Sequence, residues 1–296
     1  MKTLSRVGSL VLIGAFVLTN ASAVWAQKKT LAVSDIEATP ALEDNVKKKG
    51  KNNEMQRVLQ SLDPQMIERF NATRKFDLVP RSDLKKFVKE GALSGNAGLP
   101  SADYFLVTTI DDFEDSSINA PLGETGQVAS TRQIRFSATG KIYDSKTGKL
   151  LEAVSFRVMQ NARSLALVNP NATGEGKLGD DLLASAAREM AHKIANRVTD
   201  VIFPVKVVSK LDKQITINCG DGRDIEKDQV WSIYAVGKEI IDPDTKESLG
   251  REESKIGEAK IASVQPKVST AIILGDDLGV AEGVILKRPE PASNQN

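Results

Sequence analysis

The hydrophobic period of this chain changes once, at Phe203-Pro204, and that change sets the fold classes open to it. Upstream, Met55, Val58, Leu59, Leu62, Met66, Ile67 and Phe70 recur at close to 3.6 residues. So do Leu183, Ala187, Met190, Ile194 and Val198. Each set is the apolar stripe of a helix laid against a core. From Val205 onward no helical period persists, and short β-branched runs alternate with turn residues. A mixed unit followed by an all-β unit is the expectation, and 296 residues suffice for two separate cores.

In the first unit, Leu31–Ile36 reads as a strand and 38–53, polar and Lys-rich, as a loop. Pro64 lies inside the first helical stripe, which predicts a kink or a break near Asp63. Arg74–Glu90 delivers one strand, Phe76–Val79, to an amphipathic helix opened by Ser82 or Asp83, with Leu84, Phe87 and Val88 on its core side. Residues 91–100 form a Gly-rich turn region. Tyr104–Ile110 is a continuous apolar and β-branched run of the kind that a doubly covered strand shows. Residues 111–131, acidic and then Gly-containing, read as a hairpin loop. Residues 133–143 and 150–158 are the two strands of a second hairpin, joined by the Asp144–Lys149 turn. Residues 163–179 read as irregular, and Asp180 as the cap of a helix running to Val201.

In the second unit the candidate strands are 205–211, 214–219, 229–236, 255–265, 268–274 and 283–287. Turn chemistry stands at Gly220-Asp221-Gly222 and at Asp242-Pro243-Asp244-Thr245. That many short strands in so little chain predicts a small closed barrel. The tail 289–296 is expected to be disordered.

The N-terminus has the form of a secretory signal. Lys2 and Arg6 precede an apolar core from Val7 to Leu18, and Val24-Trp25-Ala26 is a small-residue cleavage site. The core falls short of the roughly 20 residues that span a bilayer as a helix. Cys219 is the only cysteine, so neither a lipid-modified Cys after the signal nor an internal disulfide is expected. Residues 1–26 carry two positive charges and no negative ones, so the formal net charge falls from +1 to −1 on their removal. A near-neutral chain lacks the basic footprint for nucleic acid. Lys47-Lys48-Lys49 with Lys51 reads as a solvated run.

Catalytic patterns are scarce. His192 is the single histidine, which rules out a His-rich zinc site. No GxSxG, P-loop or dinucleotide glycine pattern occurs. Gly220-Asp221-Gly222-Arg223 joins two predicted strands, so no helix N-terminus backs it as an anion site. Asp221, Asp224 and Asp228, or Asp242, Asp244 and Glu247, have oxygen ligands for calcium but not the loop spacing or flanking helices. Cys219 sits in a strand-like run and reads as a small buried hydrophobe. No catalytic residue, cofactor or metal is expected.

Three ordered segments resemble the CsgG/HfaB family, whose periplasmic domain is similar to the N-terminal domain of TolB. They are Arg74–Glu90 with its Pro80-Arg81-Ser82-Asp83-Leu84, Ala102–Phe113, and Lys141–Leu151 with Ile142-Tyr143-Asp144. Val205–Lys287 is similar to the C-terminal barrel of the flagellar assembly protein FlgT, through its Gly-Asp-Gly turn, Gln229-Val230-Trp231-Ser232-Ile233-Tyr234 and Asp242-Pro243-Asp244-Thr245.

The resemblance implies an α/β fold: a TolB-N-like sheet flanked by helices over 27–203, then a small SH3/OB-like β-barrel over 204–288. It implies a periplasmic binding module for envelope or periplasmic proteins. It leaves room for peripheral association with the outer membrane and for an oligomer. The family's lipid-modified cysteine is missing here. The curli channel's long membrane hairpins find no match in 111–131 or 163–179, which are too short or too polar. The expected function is a non-enzymatic adaptor in envelope assembly. The alternatives are a subunit of a curli-type outer-membrane secretion pore, and a hydrolase with an unrecognised site.

Overall fold

The computed structural model describes residues 28–79, 102–122, 127–161, 175–244, 246 and 248–289. The signal segment 1–26, the helix expected after Pro80, the turn region 91–100 and the tail from residue 290 lie outside the described residues. Within them the chain is mixed α/β and mostly strand, with two sheets and three α-helices.

The first sheet has the order β3-β1-β4-β5-β6, built from β1 (Lys29–Val33), β3 (Phe76–Val79), β4 (Tyr104–Leu122), β5 (Gln127–Asp144) and β6 (Leu150–Asn161). A short β2 (Glu37–Ala38) pairs with β4. β1 runs parallel to β3 and β4, whereas β4, β5 and β6 form an antiparallel meander. Helices α1 (Pro40–Lys48), α2 (Asn52–Ala72) and α3 (Glu175–Ile202) supply the other half of the core. The stripe Met55, Val58, Leu62, Met66 and Phe70 of α2 meets Leu182, Ala186, Met190 and Ile194 of α3 and the sheet's Leu106, Ile134, Phe136 and Ile142.

Four expectations need correction. The loop read at 38–53 contains α1. Thr39 caps it, its Oγ1 accepting from Leu42 N at 3.4 Å, Pro40 takes the first helical position, and Leu42 and Val46 turn to the core. The lysine run hid that pattern. α2 does not break at Pro64. Its buried stripe is continuous on both sides, and tertiary packing overrides a proline that costs an isolated helix about 3 kcal/mol. α3 begins at Glu175, so Asp180 lies inside it and is not its cap.

The largest correction concerns 111–131, read as a hairpin loop: residues 111–122 and 127–131 are strand, and 123–126 lie outside the described residues. β4 and β5 pair from Tyr104↔Asp144 to Leu122↔Gln127. The register shifts once, between Ile110 and Asp112, where Asp111 is the extra residue of a β-bulge. The bulge moves the inward parity from even to odd positions. Phe113 and Asp115 therefore continue the face begun by Leu106, Thr108 and Ile110, while the acidic Asp111 and Asp112 stay off it. β6 stops pairing at Asn161↔Gln133. Beyond it, the pairs from Ser117↔Arg132 to Leu122↔Gln127 continue as an arm that is two-stranded among the described residues, reaching about 20 Å at ~3.4 Å per residue.

The second sheet contains β7 (Val205–Leu211), β8 (Gln214–Ile217), β9 (Val230–Ile241), β10 (Ser248–Val264), β11 (Ser269–Leu274) and β12 (Ile285–Lys287). Pairing follows the cycle β10-β11-β8-β7-β12-β9 and returns from β9 to β10. Trp231, Ile215, Ile217, Ala259, Ile261 and Ile273 fill its interior. β9 and β10 also outrun their neighbours, since β12 reaches only Ser232–Tyr234 of β9 and β11 only Glu258 onward of β10. Their remainder, with exposed Ile240 and Ile241, is a second projecting ribbon.

Candidate functional site

The described side chains concentrate their charge chemistry where the strand ring meets the ends of α2 and α3. The meeting piece is the segment 219–224 between β8 and β9, which holds one turn of 3-10 helix, Asp221–Arg223. Both glycines of the Gly-Asp-Gly turn are forced by close approach. A Cβ on Gly220 would lie 2.5 Å from the Pro266 carbonyl oxygen, within the same unit. One on Gly222 would lie 1.8 Å from the carbonyl oxygen of Ala72, at the end of α2. The backbone of one unit thus rests directly on the helix terminus of the other.

Two carboxylates organise what surrounds this contact. Asp224, in the left-handed region at φ 48°, turns its carboxylate back to the helices. Oδ1 pairs with Arg69 of α2, Oδ2 accepts from Asn196 Nδ2 at 2.6 Å, and His192 Nδ1 lies 3.2 Å from the same oxygen. Burial pushes this carboxyl up, but the hydrogen bonds of His192 and Asn196 and the charges of His192 and Arg69 outweigh it, leaving it far below the carboxylate range. Asp200 of α3 holds two guanidinium groups, Arg223 through Nη2 and Arg288 through Nε at 2.8 Å. Arg223 Nη2 also donates to the Phe203 carbonyl at 3.0 Å, just past the end of α3, where cations are favoured. Arg288 adds a bond to the Arg223 carbonyl at 2.9 Å and stacks over Trp231 at 5.1 Å. Arg74 spans to Pro266 O at 2.6 Å and to Asp221 at 3.5 Å.

The sequence candidates fall here unevenly. His192 is half-buried and belongs to the Asp224 cluster. Cys219 is buried, and burial pushes its thiol up despite nearby Arg223 and Arg288. Asp221, Asp224 and Asp228 do not converge; they pair separately with Arg74, Arg69 and Lys260. Asp242 and Asp244 form a turn, with Asp244 N donating to Asp242 Oδ1 at 2.8 Å. No group of three or more His, Cys, Asp or Glu side chains is placed to hold a metal among the described residues. Sequence reading missed Arg69, Asp200, Arg223 and Arg288 as a cluster, because they come from four separate elements. The available signal was an arginine flanked by glycine and aspartate in a turn.

A second carboxylate station anchors the long hairpin. The carboxylate side chain of Asp115, 2% exposed, accepts from Arg132 Nε and Nη2 at 2.8 and 2.6 Å and from Lys51 Nζ at 3.2 Å. It ties the base of the β4–β5 arm to the start of α2. At the sheet edge, Lys193 of α3 donates to the Arg157 carbonyl of β6 at 2.9 Å, and Arg197 Nε bonds Glu152 at 2.7 Å. Side chains of α3 thereby guard part of that edge.

No protein-family model matches this sequence, and no curated protein does. Among solved structures, a hypothetical protein from Chlamydia trachomatis is 12% identical, with 60% of this chain and 99% of that chain covered and a TM-score of 0.37. A lipoprotein from Neisseria meningitidis is 14% identical over 55% of this chain and 98% of that one, at 0.27. A minor lipoprotein from Acinetobacter baumannii is 14% identical over 58% and 94%, at 0.26. These are bacterial proteins, and the likeness is too slight to carry an argument.

Proposed function

We propose that the chain is an exported, non-enzymatic adaptor of the bacterial cell envelope, working in the periplasm through protein–protein binding. In this reading residues 27–203 are a TolB-N-like unit of the CsgG type and 204–288 an SH3/OB-like barrel. The observation that carries it is the pair of projecting ribbons, β4–β5 and β9–β10, extending from two units that the Arg69–Asp224 and Arg223–Asp200 ion pairs join. Two-stranded ribbons are marginal in water on their own and offer strand edges and side-chain rows to a partner. The signal-like N-terminus supports the compartment. In-cell crosslinking followed by purification tests the reading: recovery of a specific envelope protein is expected, and recovery of none overturns it.

A further inference from the structure

β6 ends the first sheet, with β5 on one side and no strand on the other among the described residues. It has 12 residues and no proline. An edge of that length is a template for another strand. The ladder fixes which backbone groups face outward. Ser145 N donates to the Asp103 carbonyl at 3.0 Å, and Asp144 N to the Lys149 carbonyl at 2.9 Å. Odd residues of β5 therefore turn N–H and C=O to β4, and even ones to β6. Ala138↔Phe156 and Gly140↔Val154 are in register, so the even residues of β6 are spent on β5. Ala153, Ser155 and Arg157 turn theirs to the outer edge. Lys193 reaches the Arg157 carbonyl at 2.9 Å, which agrees, and that oxygen keeps a second lone pair.

The side chains of this strand are matched about Ser155. Leu151, the extra residue of a bulge opposite Tyr143, is 43% exposed, and Met159 is 56% exposed. They stand four residues to either side of Ser155. Ala153, Ser155 and Arg157 between them are exposed, and Val154 and Phe156 on the other face are half-buried.

We infer that β6 pairs antiparallel with β6 of a second copy, about a two-fold axis at Ser155. The interface is isologous. Ser155 meets Ser155 of the second copy as a hydrogen-bonded pair, Ala153 meets Arg157, Leu151 comes beside Met159, and Val154 beside Phe156. Other registers lose this match. An axis at Arg157 sets two guanidinium groups opposite each other. One at Val154 puts Leu151 against Arg157, one at Phe156 puts Met159 against Ala153, and one at Ala153 leaves Met159 beyond the overlap. The two first sheets become one continuous sheet. The inference goes beyond the adaptor reading and does not rest on it.

The test uses the chain from residue 27 onward. Light scattering is expected to give twice the monomer mass, falling to the monomer mass on dilution. Ser155→Pro removes an N–H that faces outward, which an edge strand tolerates, and should give a folded monomer. Cysteine trapping keeps the answer independent of that variant, because Cys219 is buried. Partners in a hydrogen-bonded pair stand about 5.5 Å apart at Cα, within disulfide reach. Ser155→Cys alone should link into a dimer on mild oxidation. Ala153→Cys and Arg157→Cys should link only when mixed, since like positions lie about 14 Å apart at ~3.4 Å per residue. A monomer at every concentration overturns the inference and leaves the edge to a strand of another protein. So does equal linking from all three single variants, or a dimer in which Ser155→Cys does not link.

Discussion

Gly222 lies so close to Ala72 that a β-carbon added to it would stand 1.8 Å from the Ala72 carbonyl oxygen. The contact is backbone on backbone, so no side-chain rotation can relieve it. Gly222→Ala must part the 219–224 segment from the end of α2. We expect a loss of at least ~1–3 kcal/mol, the usual range for overpacking, read by denaturant unfolding. We also expect faster proteolysis around Phe203-Pro204. An unchanged midpoint and cleavage rate would refute the close contact.

Asp224 gives a pH signature. Its folded pKa is depressed, so its contribution is present above the unfolded carboxylate value of about 3.9 and is lost as pH falls through the folded value. Subtracting the stability profile of Asp224→Asn from that of wild type should leave a difference that is flat near neutrality and shrinks below about pH 4. Other depressed carboxylates, such as Asp103 and Asp144, cancel in this subtraction. A difference that grows on acidification would contradict the pairing with Arg69 and His192.

Asp115 isolates the base of the long hairpin. Burial raises its carboxyl, and Arg132 with Lys51 more than reverse that. Asp115→Ala should cost roughly 1.5–3 kcal/mol, the value of hydrogen bonds to a charged group. Amide exchange should quicken at Ser116 and Gln133 more than in β9–β10. Uniform quickening across both sheets would mean that Asp115 supports global stability only.

Pro64→Ala tests whether α2 tolerates its proline or needs it. Restoring the backbone N–H in the middle of an unbroken helix should raise Tm. The gain should stay below the full ~3 kcal/mol difference in helix propensity, because the alanine chain has more unfolded-state freedom to lose. A lower Tm would show that the proline ring fills a packing role.

The elements that sequence reading located were those with a single dominant period. The stripe of α2, the Gln133–Tyr143 alternation and the strands after Pro204 are examples. What it lost were places where chemistry and period disagree. α1 shows two core residues among lysines, and Asp111 to Ser117 looks like solvated loop because its acids are disposed of by a bulge and by Arg132 and Lys51. The Asp200 and Asp224 clusters were out of reach, since their members stand up to 155 positions apart, as Arg69 and Asp224 do. The glycines of 220 and 222 were visible as a turn, but that one of them abuts another unit is information only packing contains.

The central claim is that the projecting ribbons are where partners bind. A photo-crosslinking residue placed at Ser117 on the β4–β5 arm, at Ile241 on the β9–β10 arm, and at Lys267 as an exposed position beside Pro266 tests it directly in growing cells. The account predicts a discrete crosslinked envelope protein from Ser117 or Ile241 and none from Lys267. Equal adducts from all three positions, or none from either arm, would contradict it.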